Sequence, residues 1–246
     1  MGDIETPMLP LMEEIWQQTV GWQPNAEQQR QFQQLYELIL QGNRSLNLTR
    51  ITEATEFWEK HLWDSLRAIA PILQTAGEDK QVIDIGTGAG FPGIPFAIAL
   101  PNYTVTLLDA TRKKIAFLET LISQLGIQNA TTLIGRAEEI GRQSHKRATY
   151  DIALIRAVGT ASVCAEYALP LVKVGGLAIL YRGQWTDEEN AAVQPALKQL
   201  GCAIESVQAF STPLSQSVRH CLYLRKIAPT PAQFPRTVGV PAQKPL

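Results

Sequence analysis

The amino-acid sequence predicts an α/β fold in which a doubly wound, mainly parallel sheet follows a segment of helices. Three patterns support this prediction: helical spacing of apolar residues before residue 80, alternating strand-like and helical runs after it, and a late pair of strand-like runs. A chain of 246 residues suits one main core with an accessory element. We therefore expect an N-terminal helical extension over residues 1–79, a sheet domain over 80–228, and an extended, basic, Pro-rich tail over 229–246.

The N-terminal segment shows helical spacing and no strand-like alternation. Asn25 and Gln28 resemble a capping box, and a helix is predicted from there until Gly42-Asn43, with an apolar face made of Phe32, Leu35, Tyr36 and Ile39. A second helix is predicted from Thr52, as its N-terminal cap, up to Pro71. Its apolar face comprises Phe57, His61, Leu62 and Leu66.

From Lys80 onward, short apolar runs alternate with helical segments such as Lys113 to Leu125, which is typical of βαβ units. Two later runs, Ala203 to Phe210 and His220 to Ile227, are joined by a segment too short for a helical crossover. We therefore predict a hairpin there, with the last strand antiparallel. The five earlier runs predict parallel strands at Val82–Ile85, Thr104–Leu108, Thr131–Ile134, Ile152–Ile155 and Leu177–Tyr181.

Composition excludes several classes of protein. The apolar fraction is 45%, and no apolar run is long enough to cross a bilayer, so no membrane partner is expected. The N-terminus carries Asp3 and Glu5 instead of a basic and then apolar signal, which indicates a cytoplasmic protein. The three cysteines lack C-x-x-C spacing, so we expect buried thiols and neither disulfides nor a metal site.

Net charge does not reveal a nucleic-acid partner, because 22 basic residues face 23 acidic ones. Local basic clusters exist at Arg112–Lys114 and Arg142–Arg147, and each by default is a solvated face. A third group lies in the C-terminal part of the chain: Arg219, Arg225, Lys226, Arg236 and Lys244.

The segment Val82 to Gly93 reads as a buried strand that enters a glycine-rich turn and then a helix near Pro92. Glycines allow the backbone conformations and the close ligand approach that such a turn needs. Free amides at the start of the helix could receive a ligand carboxylate. Asp109 ends the next apolar run, where a doubly wound sheet places a carboxylate against ribose hydroxyls. Together these features predict a nucleoside site.

The glycine spacing separates two classes of cofactor. A dinucleotide fingerprint needs G-x-G-x-x-G, and Phe91 occupies its last position here. Glycines at 86, 88 and 90, with the acidic Asp84 before them, match class I S-adenosylmethionine-dependent methyltransferases, whose Rossmann-like sheet also ends in an antiparallel strand. The alternative is a tight turn in some other α/β protein.

Read as a whole, the chain resembles the bacterial small-subunit ribosomal RNA guanine-N7 methyltransferases, the RsmG family. The glycine turn identifies only the superfamily, whereas the segment Asn47-Leu48-Thr49 and the tail are specific to the family. The matching segments are Asn47-Leu48-Thr49, Lys60-His61, Asp64-Ser65-Leu66, Asp84–Gly93, Leu107–Leu118, Ala137-Glu138-Glu139, Arg156-Ala157, Gly183-Gln184, Phe234-Pro235-Arg236, Gly239, Pro241 and Lys244-Pro245-Leu246.

The resemblance implies S-adenosylmethionine as cofactor and 16S ribosomal RNA or the small ribosomal subunit as partner, with no DNA expected. It assigns no catalytic residue. Three departures concern individual contacts: Ile155 stands where the family has a serine, and Arg182 and Thr237 each replace a common lysine. The cofactor-binding residues that it implies are Gly86, Phe91, Asp109, Ala110, Thr111, Ala137, Glu138 and Arg156.

Some of these residues also have a purely structural interpretation. Glu138 and Glu139 could form the acidic first turn of a short helix, and Arg156 could emerge from a strand end into water. His61 would by default be a packed histidine that makes one hydrogen bond, with Asp64 as its expected partner.

Methyl transfer to guanine N7 uses a lone pair that carries no proton, so the reaction needs positioning and no general base. The sequence agrees, because it has no Asn-Pro-Pro-aromatic motif for exocyclic amines. Two alternatives remain open: a small-molecule methyltransferase, and a nucleotide-binding protein without catalysis.

Overall fold

The computed structural model of the protein describes residues 7–75, 77 and 79–246. These residues form a seven-stranded sheet with the order β3-β2-β1-β4-β5-β7-β6. Strands β1 to β5 pair in parallel, and β7 lies antiparallel between β5 and β6, as the hairpin prediction required. The strands are β1 Gln81–Ile85, β2 Thr104–Asp109, β3 Ala130–Ile134, β4 Tyr150–Arg156, β5 Val172–Arg182, β6 Cys202–Ser211 and β7 Val218–Lys226.

All seven predicted strands are confirmed, and the largest difference in bounds occurs at the start of β5. This strand begins at Val172 and not at Leu177, because Val172 already pairs with Tyr150 of β4. The register shifts before the next pair, which joins Leu177 to Ile152. Gly175 lies in the left-handed region, with φ of 85°, which a glycine adopts without a steric penalty. The extra residues of β5 therefore form a bulge that periodicity does not detect.

Helices cover both faces of the sheet. Alternate residues of β1 point to opposite faces, so Val82 joins the core beneath the N-terminal helices, whereas Ile83 and Ile85 join the core on the other side. The helices are α1 Glu13–Val20, α2 Ala26–Leu46, α3 Ala54–Phe57, a π-helix Trp58–Trp63, α4 Asp64–Arg67, α5 Ala70–Leu73, α6 Gly93–Ala99, α7 Arg112–Leu125, α8 Ala137–Ile140, α9 Ala161–Ala168, α10 Asp187–Leu200 and α11 Val240–Gln243.

The predicted start of α2 is confirmed and its predicted end is wrong. Asn25 and Gln28 form the reciprocal capping box. The helix continues through Gly42 to Leu46 and ends at Asn47, whose φ of 48° is left-handed. Gly42 is therefore not a helix stop. A glycine is required there because the ring of Phe117 in α7 occupies the space that a side chain would fill.

The second predicted helix is interrupted, and its cap is a different residue. Glu53, and not Thr52, accepts hydrogen bonds from the amides of the first turn of α3. The helical run ends at Arg67, and Pro71 lies in the first turn of α5, where a missing amide hydrogen costs little. The predicted apolar face, including His61, is buried.

The tail was predicted to be extended, and this is wrong for residues Val240–Gln243, which form helix α11. It is also fixed to the sheet domain by two arginines of the predicted basic cluster. Arg147 donates hydrogen bonds to the carbonyl oxygens of Thr230, Pro231 and Phe234, and Arg142 donates one to that of Pro235. These arginines therefore serve the packing of the tail.

The remaining predictions from composition concern cysteines, metals and membranes. Cys164, Cys202 and Cys221 are buried free thiols, as predicted. Within the described ranges of the chain, no cluster of His, Cys, Asp and Glu side chains could hold a metal ion. No helix in those ranges has the length and hydropathy that a membrane crossing requires. Asp3 and Glu5 lie outside the described residues.

Candidate functional site

The turn after β1 is built from three glycines in conformations that favour this residue. Gly86, Gly88 and Gly90 have φ values of 70°, 61° and 99°. Val158 packs directly on Gly86, where an added Cβ would lie 2.7 Å from the Cγ2 atom of Val158. The turn therefore requires glycine both for its backbone path and for this close contact.

Asp84 ties the glycine turn to α6. Its fully buried Oδ2 accepts hydrogen bonds from the Thr87 hydroxyl at 2.6 Å and from the Gly93 amide at 2.8 Å. Burial raises the pKa of this carboxyl group to about 6, against the opposing effect of the two hydrogen bonds. The acidic residue before the glycines thus has a structural role in shaping the turn.

The expectation that the start of α6 offers free amides to a ligand carboxylate is wrong. The Gly93 amide is bonded to Asp84, and the Ile94 amide donates to the carbonyl oxygen of Gly90. Pro92 precedes the helix as its N-cap residue and has no amide hydrogen. The first turn of this helix is therefore satisfied from within the protein.

Asp109 ends β2 and faces the glycine turn. Its Oδ2 accepts from the Gly88 amide at 3.0 Å, and its Oδ1 accepts from the Thr111 amide at 2.8 Å. An ionised carboxylate offers about four acceptor sites, so each oxygen retains capacity for one more donor. Asp109 can therefore hold the turn and accept hydrogen bonds from a ligand at the same time.

A cavity of about 440 Å³, which we call the first cavity, opens at the carboxyl ends of β1, β2 and β3. Its volume lies in the range of small-molecule sites, and its position is where open α/β sheets bind ligands. The structure brings six of the predicted residues together there: Gly86, Asp109, Ala110, Thr111, Ala137 and Glu138.

Sequence reasoning missed several residues that also line the first cavity. Lys114 was visible only as part of a basic cluster, and no pattern pointed to Tyr167 or Ala242. Burial and the Glu138 carboxylate raise the pKa of Tyr167 to about 12, so its hydroxyl stays protonated. Glu138 and Glu139 do form the acidic first turn of α8.

Phe91 lies outside the first cavity, in an aromatic cluster beneath the N-terminal helices. Its ring stacks on the ring of His61, with centroids 4.3 Å apart and planes 11° apart, and meets Phe57 edge to face at 5.7 Å. The sequence pattern located Phe91 next to the glycines but could not show that helix residues cover it.

His61 is packed as expected, although its hydrogen-bond partner differs from the prediction. Its Nε2 lies 2.9 Å from the Thr49 hydroxyl, and its Nδ1 lies 3.4 Å from an Arg156 nitrogen, so Asp64 is not its partner. Since arginine can only donate, Nδ1 is the acceptor in this pair. Burial, with Arg156 and Lys60 nearby, lowers the pKa of His61 to about 3.

Arg156 also lies outside the first cavity, because it turns toward the N-terminal helices. It donates to the Lys60 carbonyl oxygen at 2.9 Å and forms an ion pair with Asp64 at 3.1 Å. Arg156 and Asp64 line another cavity of about 530 Å³, which we call the second cavity. The consecutive residues Ala157 and Val158 line the second and first cavities respectively, so one short segment separates them.

The second cavity is rich in cationic side chains: Lys60, Arg156, Arg182 and Arg219 line it together with His220. Asp64 is the acidic group among them. Its Oδ2 pairs with Arg156 at 3.1 Å, and its Oδ1 lies 3.8 Å from the Nε atom of Arg219. Burial raises the pKa of Asp64, and the two arginines oppose this shift.

The sheet order, the antiparallel last strand and a cavity bounded by the glycine turn and Asp109 define a class I S-adenosylmethionine-dependent methyltransferase. The solved structure of the antibiotic-resistance methyltransferase Kmr has this fold, with a TM-score of 0.52 and 16% identity over 65% of this chain and 93% of Kmr. At that identity the likeness concerns the fold.

Sequence comparisons identify the family. The family model described as rRNA small subunit methyltransferase G matches residues 28–220. A ribosomal RNA small subunit methyltransferase G from Trichormus variabilis is 64% identical over 98% of this chain and 100% of its own length. One from Trichodesmium erythraeum is 58% identical over 100% of this chain and 98% of its own. The chain belongs to the rRNA small subunit methyltransferase G family.

Proposed function

We propose that this protein transfers the methyl group of S-adenosylmethionine to N7 of a guanine in 16S ribosomal RNA. Membership of the family carries the reaction class, and the pair of adjoining cavities is the structural observation that supports it. The nucleoside-type first cavity and the cationic second cavity lie on the two sides of the Ala157-Val158 segment.

The residues of the first cavity fit the cofactor. The spare acceptor sites of Asp109 suit two ribose hydroxyls, and the small side chains of Ala110 and Ala137 leave room for a flat base. The cofactor, when bound, supplies an electrophilic methyl group on a sulfonium. Contacts of Phe91 and Arg156 with it stay predictions, since both side chains lie outside this cavity.

The second cavity suits the target nucleotide. Arg219, whose ion pair with Asp64 is long at 3.8 Å, can neutralise a phosphate that flanks a guanine turned out of its stack, whereas Lys60 and Arg182 already pair with Glu56 and Glu189. The Asp64 Oδ1 atom, which makes no hydrogen bond in the described residues, can accept from the N1–H and N2–H donors of guanine. Adenine has no donors on these two ring positions, so this contact favours guanine.

The chemistry needs positioning and no proton transfer. The N7 lone pair of guanine attacks the methyl carbon, the bond to sulfur breaks, and no proton leaves the base. Positioning two reactants at the well-oriented limit contributes roughly 7 to 11 kcal/mol to the rate. His61 is buried and neutral at pH 7, since its pKa is about 3, and it is not needed as a base.

We also propose that the protein acts in the cytoplasm on RNA or on the small subunit, and not on DNA or at a membrane. The division into residues 1–79, 80–228 and 229–246 stays a proposal about folding units. It has to allow for the shared core, in which Trp16 and Leu35 belong to the same hydrophobic cluster as Val82.

The alternatives differ in what they require. A small-molecule methyltransferase needs the first cavity but not a second cavity lined by cations, and a nucleotide-binding protein without catalysis needs neither the second cavity nor its Asp64. The cationic lining favours an RNA substrate over both.

Mass spectrometry of nucleosides tests the proposal. Small subunits and naked 16S ribosomal RNA that lack the modification are incubated with the protein and methyl-labelled cofactor, then digested. We expect label in 7-methylguanosine. Label in another nucleoside would refute the N7 assignment, and methyl transfer only to small metabolites would favour the first alternative. Cofactor binding without any transfer would favour the second.

A further inference from the structure

We propose that residues 237–242 of the tail form one wall of the first cavity, and that Arg236 is the positioning residue that holds this wall in place. The inference rests on the proposed function only in taking the first cavity as the cofactor site. It assigns the tail, which the sequence predicted only as an extended, basic and Pro-rich segment, to cofactor binding.

Arg236 is anchored by a buried carboxylate. The Glu166 side chain has no solvent exposure, and its Oε1 accepts from the Arg236 backbone amide at 2.8 Å and from Nε at 2.9 Å. Its Oε2 accepts from Arg236 Nη2 at 2.6 Å. A buried carboxylate depends strongly on such a partner, because an unpaired buried charge is costly. The guanidinium of Arg236 is therefore committed to α9.

The tail is fixed on the other side of this anchor as well. Arg147 and Arg142 hold residues 230–235 through their carbonyl oxygens. Pro235 also packs against Gly141 at the end of α8, where an added Cβ would lie 3.0 Å from its ring. The chain thus reaches Arg236 along a determined path, immediately beside the helix that carries Glu138.

Beyond Arg236, the tail meets a predicted cofactor residue. The Gly239 amide donates to Glu138 Oε1 at 3.0 Å, and Glu138 is buried. Gly239 has a left-handed φ of 84° and is the N-cap residue of α11. The turn that it forms places Ala242 at the first cavity. One carboxylate oxygen of Glu138 therefore holds the tail, and the same side chain lines the cavity.

Ligand binding and the position of the tail should consequently be coupled. A ligand in the first cavity contacts a wall that exists only when the tail is docked, so docking and binding favour each other to the same extent. Loss of the Arg236 anchor should weaken binding of the nucleoside end of the cofactor without any change in the chemistry of the target base.

The first test narrows the cavity from the tail. Ala242→Trp places a large side chain on the proposed wall, and Gln243→Trp is the matched control one residue further along the same exposed turn. Binding of S-adenosylhomocysteine is measured by calorimetry for each protein. We expect at least a tenfold loss of affinity in the first variant, a change below twofold in the control, and the same melting temperature in both.

The second test releases the anchor. Arg236→Gln should weaken binding of S-adenosylhomocysteine and of adenosine by a similar factor, Arg236→Lys should restore part of it, and hydrogen exchange at residues 239–243 should accelerate. If the native protein binds S-adenosylhomocysteine and Ala242→Trp binds it equally well, or no worse than the control, the wall proposal is refuted. Failure of the native protein to bind would refute the cofactor site itself.

Discussion

Among single residues, Asp109 both holds the glycine turn and offers acceptor sites to a ligand. Asp109→Asn keeps the size of the side chain and removes the charge that would receive ribose hydroxyls. It also replaces one acceptor oxygen by an NH2 donor, so one of the hydrogen bonds from Gly88 and Thr111 is lost and the melting temperature is measured beside binding. We expect a loss of about 1.5 to 3 kcal/mol in binding of S-adenosylhomocysteine, the contribution of a hydrogen bond to a charged group. Asp151→Asn is the control, because Asp151 lies near the amino end of β4, away from the first cavity, and pairs with Lys173. Equal affinities in calorimetry would remove Asp109 from the site.

His61 provides a prediction about the pH dependence of the rate. Its pKa of about 3 keeps it neutral above pH 5, and guanine N7 carries no proton to remove. The single-turnover rate with both substrates saturating should therefore stay nearly flat from about pH 6 to 9. His61→Ala should lower the rate because it removes the ring that stacks on Phe91, and the dependence of the rate on pH should stay flat. A tenfold rise per pH unit that this variant abolishes would indicate a histidine base and contradict the N7 assignment.

At the scale of elements, strand β7 carries two arginines with different surroundings. Arg219 lines the second cavity near its start, whereas Arg225 near its end pairs with Glu205 at 2.6 Å. Arg219→Gln should reduce the slope of log affinity for RNA against log salt by about 0.7, the value for one phosphate contact on a single strand. Arg225→Gln should not change it. Equal slopes for both variants, measured by fluorescence anisotropy, would place RNA elsewhere.

Two cations of the C-terminal basic group contribute less to this salt dependence than the composition suggests. Arg236 in the tail is paired with buried Glu166, and Lys226 at the end of β7 is buried and donates to the carbonyl oxygens of Leu169 and Val172. Neutralising Arg236 and Lys244, the two members of that group in the tail, is therefore expected to weaken cofactor binding through Arg236 and to change RNA affinity only slightly.

At the scale of the whole molecule, two buried groups couple folding to pH with opposite signs. The pKa of His61 falls from 6.5 to about 3, so the unfolded chain binds an extra proton below pH 6.5 and the free energy of unfolding decreases with acid. The pKa of Asp84 rises from 3.8 to about 6, so the folded state binds an extra proton between these values and stability increases with acid.

Variants should separate the two effects in urea unfolding between pH 6 and 4.5. Relative to the native protein, His61→Gln should lose less stability per pH unit toward acid, and Asp84→Asn should lose more, each by up to about 1.4 kcal/mol per pH unit. His145→Gln, at an exposed position, is the control and should show the native slope. Parallel curves for all four proteins would contradict the assigned shifts.

Periodicity and spacing between residues close along the chain were sufficient to predict the seven strands, the capping box at Asn25, the glycine turn and Asp109. Contacts between distant segments are visible only in the folded protein: Phe91 and Arg156 face the N-terminal helices, Gly42 makes room for Phe117, and Arg236 pairs with Glu166, 70 residues away. A spacing pattern shows that a cation or a glycine is present, but its partner is chosen by packing between distant segments.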